Sequence, residues 1–356
     1  MKRHGNLYGK VGHFDNLFLA ARKAQKGKRF KANCRDFNLD LEKNLFTIQK
    51  ELWEKTYIPG DYNRFRIFEP KERIISAAPY RDRVVHHALV NVIEPLFDRS
   101  MIYDSYANRT GKGTHRAVNR FTEFARKRRY VLKMDVVRYF PNIDHTILME
   151  AIEKRIKDRD IIWLIGVILD SGRETDDHGS LSYFSGDDLF TPVERKRGLP
   201  IGNLTSQLFA NIYLDGFDHY VKEHLRCRYY IRYMDDMAVF DDDKKRLGEV
   251  RLTMIHYLEE LRLNVHMNRA QYWPVTQGTD WLGYRMYPTH RHVRKSNIRR
   301  FRLRLNRLAG EYRQGTVDLQ EIRSTVMSWI SHVKHADTYK LRRKICEDVS
   351  FQRGQG

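Results

Sequence analysis

The chain has 356 residues, 41% of them hydrophobic, which suits a sizeable core with two or three packed subdomains and excludes a disordered polypeptide. A net charge of +20 attracts a polyanion, and by itself it fits nucleic acid, an acidic membrane surface or simply a soluble basic protein. No apolar run reaches the roughly 18 residues of a membrane span. Three distant cysteines (Cys34, Cys227, Cys346) and a polar, charged N-terminus exclude a disulfide framework and predict a cytoplasmic protein.

In chain order, residues 1–62 read as basic and largely helical. Leu17-Phe18-Leu19 lead into a stretch carrying Arg22, Lys23, Lys26, Lys28, Arg29 and Lys31, and a helix is predicted from Leu41 to Trp53. Residues 64–79 read as a strand pair, Phe65–Phe68 and Arg73–Ser76, joined by the Pro70 turn. A helix follows over 82–98. Tyr130–Met134 is a strand ending at Asp135. Helices are predicted near 146–157 and 204–224, with a loop over 171–197 between them. A second strand, Tyr229–Tyr233, ends at a turn through Asp235 and Asp236, and Met237–Phe240 returns beside it. Strands and helices mix without a βαβ period, so the class is α+β.

Beyond residue 290 the composition shifts. Between Arg291 and Arg313, nine of 23 residues are Arg or Lys. Ile298, Phe301, Leu305, Leu308 and Tyr312 lie 3, 4, 3 and 4 residues apart, one face of a helix. Asp318 with Glu321 signals the start of a second helix, whose apolar face is Leu319, Ile322, Val326, Trp329 and Val333. A small helical unit with one core face and one basic face is expected.

Asp135, Asp235 and Asp236 carry the chemistry. Phosphoryl transfer needs charge neutralised at the phosphorus, which two divalent cations held by carboxylates do well. Each Asp alone reads as a cap or a solvated turn. Adjacent like charges between apolar strands, however, are costly unless a cation binds.

Tyr233-Met234-Asp235-Asp236 matches the YMDD turn of reverse transcriptases. Asp135 with Val136-Val137-Arg138-Tyr139-Phe140 resembles their first carboxylate motif, and Arg197–Gln207 resembles the motif between. Three motifs in this order, on suitable strands and turns, make the resemblance specific. It implies a right-hand polymerase: fingers and palm over 1–289, including the basic N-terminal segment, and a helical basic thumb over 290–356. It implies Asp135, Asp235 and Asp236 as catalytic residues. Two Mg2+ ions, or Mn2+ in their place, would be held by Asp135, Val136, Asp235 and Asp236. It places Lys71, Arg73, Phe140 and Gln207 on the incoming dNTP. Arg294, Lys295, Arg299 and Arg302 would contact the nucleic acid.

Other segments extend the likeness. Ser105–His115 resembles a segment following the fingers in bacterial group II-like enzymes, and Asp280–Tyr284 resembles the primer grip. Leu261–His266 resembles the motif after the YMDD hairpin. There the family often has a Lys shortly afterwards, and this chain has Asn268-Arg269.

Phe140 stands five residues after Asp135, where reverse transcriptases place an aromatic that blocks a 2′-OH by size; RNA polymerases tend to place an Asp there. Where most reverse transcriptases read Gln-Gly-x-x-x-Ser-Pro, this chain reads Ile201-Gly202-x-x-x-Ser206-Gln207. That resembles the enzymes of diversity-generating retroelements. The resemblance implies error-prone copying at template adenines, with Arg73 and Ile201 as fidelity determinants. It also implies template RNA, primer and cDNA as partners, a small basic oligomeric accessory protein, and a bacterial or phage source. A defence-associated, retron-type or group II intron-type enzyme is the alternative.

Overall fold

The computed structural model describes residues 3–68, 72–172 and 182–353. Among the described residues nine strands form three antiparallel sheets: a hairpin of β1 (Asn63–Ile67) and β2 (Arg73–Ala77); a four-stranded sheet; and a three-stranded sheet of β7 (Thr279–Trp281), β8 (Tyr284–Met286) and β9 (Arg291–Val293). The four-stranded sheet has the order β4 (Tyr230–Tyr233), β5 (Asp236–Asp241), β3 (Tyr130–Asp135), β6 (Gln271–Pro274). The α+β class holds.

Side-chain alternation explains why the four-stranded sheet sits at the centre. Successive residues of a strand face opposite sides. Leu132, Met134, Tyr230, Met237 and Val239 join one buried cluster, and Val131, Ile231, Ala238 and Phe240 join another. The first cluster is built on the helix Tyr80–Asp98, which buries Val84, Val85, Ala88, Leu89 and Ile93, and on the helices His145–Glu153 and Leu204–Tyr213. The second contains the three-stranded sheet, the helix Thr114–Lys127 and the C-terminal helices. A sheet covered on both faces is a rigid platform at its strand ends.

The C-terminal helices follow their predicted phases. Lys295–Arg313 buries Phe301, Leu305, Leu308 and Tyr312. Leu319–Val333 buries Ile322, Trp329 and Val333, and Asp318 caps it by accepting from the Glu321 N–H at 2.7 Å. Leu319 itself stays exposed. The rings of Phe301 and Trp329 stack at 3.9 Å and fix one helix on the other. The three-stranded sheet straddles residue 290, because β9 pairs with β8.

Two expectations differ. The helix predicted over 204–224 is broken: Leu204–Tyr213 ends, Asp215–His219 begins, and Tyr220–His224 is a π-helical turn. Leu214 caps the first helix and opens the next, and in the second buried Asp218 accepts from Arg232 of β4. The predicted loop over 171–197 includes a short helix, Thr191–Glu194, and a buried ion pair of Arg195 with Asp187 at 2.5 Å. A helix not singled out from sequence, Arg159–Ser171, buries Ile161, Leu164, Ile165 and Ile168. Among the described residues no helix is long and apolar enough to cross a membrane.

Candidate active site

Strand pairing assembles the carboxylates. In the β3–β5 register Asp135 lies directly opposite Asp236. The β4–β5 hairpin pairs Tyr233 with Asp236, leaving Met234 and Asp235 as a two-residue turn. Met234 has φ 56°, which costs a side-chain-bearing residue roughly 1–2 kcal/mol. Its side chain is buried in the first cluster, which holds it there. The segment after the hairpin docks beside Asp135: Val136 bridges to Val265, and the His266 N–H donates to the Asp135 carbonyl at 3.0 Å.

The grouping is electrostatically expensive. Burial, with Asp236 and Asp135 beside it, pushes the Asp235 carboxyl up to about 6, and Arg73 opposes this. Burial also raises Asp236, with Lys133 opposing and Asp135 adding. The protein compensates with its own cations. Arg269 Nη1 donates to Asp135 Oδ2 at 2.6 Å, and Lys133 Nζ lies 3.2 Å from Asp236 Oδ1.

Among the described residues no three His, Cys, Asp or Glu side chains are arranged to hold a metal ion, and two of these carboxylates pair with Arg269 and Lys133. The donors nevertheless fit hard divalent cations: two carboxylates on rigid strand ends and one in the turn between strands, with Asp235 and Asp236 raised by burial first and by neighbouring carboxylates after it. Val136 has no ligating side chain, so only its carbonyl can serve.

The neighbouring motifs are tied to one another and to β2. Phe140 lies in the short helix Tyr139–Asn142, half-buried, and its carbonyl accepts from the Leu199 N–H at 2.9 Å. The carbonyl of Ile201 accepts from the Ser76 N–H at 2.9 Å, joining this motif to β2. Gly202 makes the approach feasible: its φ is +117°, and a Cβ there would lie 3.0 Å from Ile75 Cγ2. Gln207 is half-buried in the first turns of Leu204–Tyr213. Arg73 is exposed at the start of β2 and still acts on Asp235 electrostatically. Lys71 lies outside the described residues.

Arg294, Lys295, Arg299 and Arg302 are all exposed. The last three line one groove on the helix Lys295–Arg313, with Ile298, Leu303 and Asn306. Arg294 instead faces a cleft shared with Lys133, Arg269 and Arg285, where it lies 3.4 Å from Asp280. The four cations therefore form two groups. Sequence reasoning passed over Lys133. The signal was present: it stands two residues before Asp135 on a strand, hence on the same face. The primer-grip-like segment forms β7, β8 and their turn, with Leu282 at φ 46° and Gly283 at φ 90°.

Several known proteins are similar to this chain. Protein YkfC of Escherichia coli (strain K12) is 24% identical over 263 residues, 62% of this chain and 66% of that protein. The group II intron-encoded protein LtrA of Lactococcus lactis subsp. cremoris is 25% identical over 183 residues, 51% of this chain and 28% of LtrA. The chain thus spans less than two thirds of the length of either relative. A solved structure of telomerase from Candida albicans, with a fragment of telomeric RNA, aligns over 82% of this chain and 57% of its own, with TM-score 0.44 and 12% identity. Residues 66–286, well over half of the chain and inclusive of all three carboxylates, match the model of one family throughout, and the chain belongs to that family, the reverse transcriptases (RNA-dependent DNA polymerases).

Proposed function

We propose that the protein is an RNA-directed DNA polymerase that copies a retroelement RNA into cDNA with two divalent metal ions. The observation that carries this is the juxtaposition of Asp135 and Asp236 in strand register, with Asp235 in the adjoining turn and its pKa raised to about 6. Asp135, Asp235, Asp236 and the Val136 carbonyl hold Mg2+ or Mn2+. When bound, the metals neutralise charge on the attacking and leaving oxygens.

The chain's own residues do the rest. Arg73 and Lys71 bind the triphosphate, where a cationic fork suits phosphate oxygens. Phe140 packs under the sugar and leaves no room for a 2′-OH. Gln207 contacts the incoming nucleotide from its helix. Lys295, Arg299 and Arg302 hold the nucleic-acid backbone along one groove, and Arg294 holds it nearer the carboxylates. Fingers and palm comprise residues 1–289 and the thumb 290–356. The partners are template RNA, primer, cDNA and a small basic oligomeric accessory protein, in the cytoplasm of a bacterium or encoded by a phage.

The finer reading is mutagenic copying at template adenines for diversity generation. Its support is Ile201, where most of the family has Gln. An apolar side chain near the nascent pair removes hydrogen bonding and loosens base selection. Ile201→Gln is expected to lower misincorporation opposite adenine about tenfold, read by sequencing cDNA made from a defined RNA template; an unchanged error spectrum would remove Ile201 from the account. A second reading, a group II intron-type enzyme, is favoured by the likeness to LtrA. The same sequencing separates the two: errors concentrated opposite adenine are expected for the first, and accurate cDNA from wild-type enzyme would contradict it.

A further inference from the structure

Directly beneath the catalytic turn lies an ion pair that the chemistry described above does not use. Arg232, in β4, and Asp218, in the helix Asp215–His219, are both fully buried, at 0% side-chain exposure. Arg232 Nε donates to Asp218 Oδ1 at 2.8 Å and Nη2 to Oδ2 at 2.6 Å, a bidentate fork. The Tyr230 hydroxyl donates to Asp218 Oδ1 at 2.7 Å. The remaining guanidinium nitrogen, Nη1, is the informative one. It donates to Asn211 Oδ1 and to the carbonyl of Met234, each at 3.2 Å.

Met234 is the residue of the turn held at positive φ, and its carbonyl belongs to the peptide that leads into Asp235. Strained backbone at a site persists only where surrounding contacts over-determine it. The fork aims Nη1 at that carbonyl, and Asp218 fixes the fork. Arg232 also ties down the strand edge through its backbone. Its N–H donates to the Asp104 carbonyl and its carbonyl accepts from the Tyr106 N–H, both at 3.0 Å. Asn211 in turn donates through Nδ2 to the Ala107 carbonyl at 2.9 Å. Arg232 therefore joins the turn and the helix Leu204–Tyr213 through its guanidinium, and the segment over 104–107 through its backbone.

A purely structural role could be filled by apolar side chains of similar volume, since a buried ion pair is weak evidence for stability. Lysine could supply the charge but not the planar fork. Neither replacement would keep a donor on the Met234 carbonyl while binding Asp218 at two points.

We propose that Arg232, oriented by Asp218, is a positioning residue that holds the Met234–Asp235 peptide so that Asp235 and Asp236 present their carboxylates together to divalent metal. This rests on the polymerase reading for its consequence in catalysis. The metal-binding part stands on the geometry alone.

The test uses the full chain and compares wild type, Arg232→Lys, and the double variant Arg232→Met/Asp218→Leu, which removes both charges and leaves none buried alone. Mn2+ binding is measured by electron paramagnetic resonance of the free ion, thermal unfolding is followed by circular dichroism, and kcat and KM for dNTP are measured by primer extension. Mn2+ affinity is expected to fall at least about tenfold in both variants, in the range seen for residues that orient metal ligands. kcat should fall with it, while KM for dNTP changes less than about twofold. A Mn2+ affinity equal to wild type in either folded variant would overturn the proposal. So would a loss in the double variant that tracks its unfolding while Arg232→Lys, folded, binds normally. If wild type binds Mn2+ and the variants do not, but wild type makes no DNA, the positioning role stands and the polymerase reading fails.

Discussion

Asp235→Asn is expected to lower RNA-templated DNA synthesis by on the order of 10³-fold or more while making the metal-free protein more stable at neutral pH. Both effects have one cause. Asp235 is pushed from the ordinary 3.8 up to about 6 by burial first and by Asp236 and Asp135 second. Ionising such a carboxyl costs the folded chain up to about 3 kcal/mol, and coupling to its neighbours makes 1–3 kcal/mol the fair range. A raised carboxyl pKa means that the folded state binds the proton more tightly than the unfolded one. Stability is therefore greatest below the ordinary carboxyl pKa and is lost as pH rises through about 6. Asn carries no such charge. The gain from Asp235→Asn is thus about zero near pH 3.5, grows between about 4 and 6, and is full at pH 7. Denaturant unfolding across that range, without metal, checks it. A variant less stable than wild type at pH 7 would mean that Arg73 and the other cations already satisfy Asp235.

Phe140→Ala is expected to cut the preference for dNTP over rNTP by about 10²-fold, which is what an apolar wall can enforce against one added hydroxyl. Phe140 is half-buried, so part of the ring packs on the core and part remains free to meet a sugar. Its helix is tied to the Arg197–Gln207 motif through the Leu199 N–H, which limits how far the wall can yield. Truncation should cost about 1–3 kcal/mol of stability from the buried part of the ring. Competition between dATP and ATP on one template reads the discrimination. A variant with lower stability and unchanged discrimination would reassign Phe140 to the core alone.

The carboxylate site was legible in the sequence because its determinants are local. A strand ending in Asp135 and a strand–Asp–Asp–strand hairpin are short-range patterns, and antiparallel pairing then brings Asp135 opposite Asp236. The basic helix face over 295–313 was legible for the same reason, since a 3.6-residue period shows in any window. The Arg232–Asp218 pair was not legible. An Arg in a strand reads as a solvent-facing residue, and its partner lies on a short separate helix that the sequence pattern runs together with its neighbours. The compensation of Asp135 and Asp236 by Arg269 and Lys133 also escaped, because Arg269 comes from a loop more than a hundred residues from Asp135. Nor did the sequence separate Arg294 from the other three cations. Arg294 is the N-cap residue ahead of the helix, and it faces the cleft shared with Arg269 and Lys133.

The most direct measurement is primer extension by the full chain on matched RNA and DNA templates, each with dNTPs or rNTPs and Mg2+, beside the Asp235→Asn/Asp236→Asn variant. The account predicts DNA product from dNTPs on the RNA template, little product from rNTPs, and none from the variant at equal protein concentration. RNA product from rNTPs, or equal product from the variant, would contradict it.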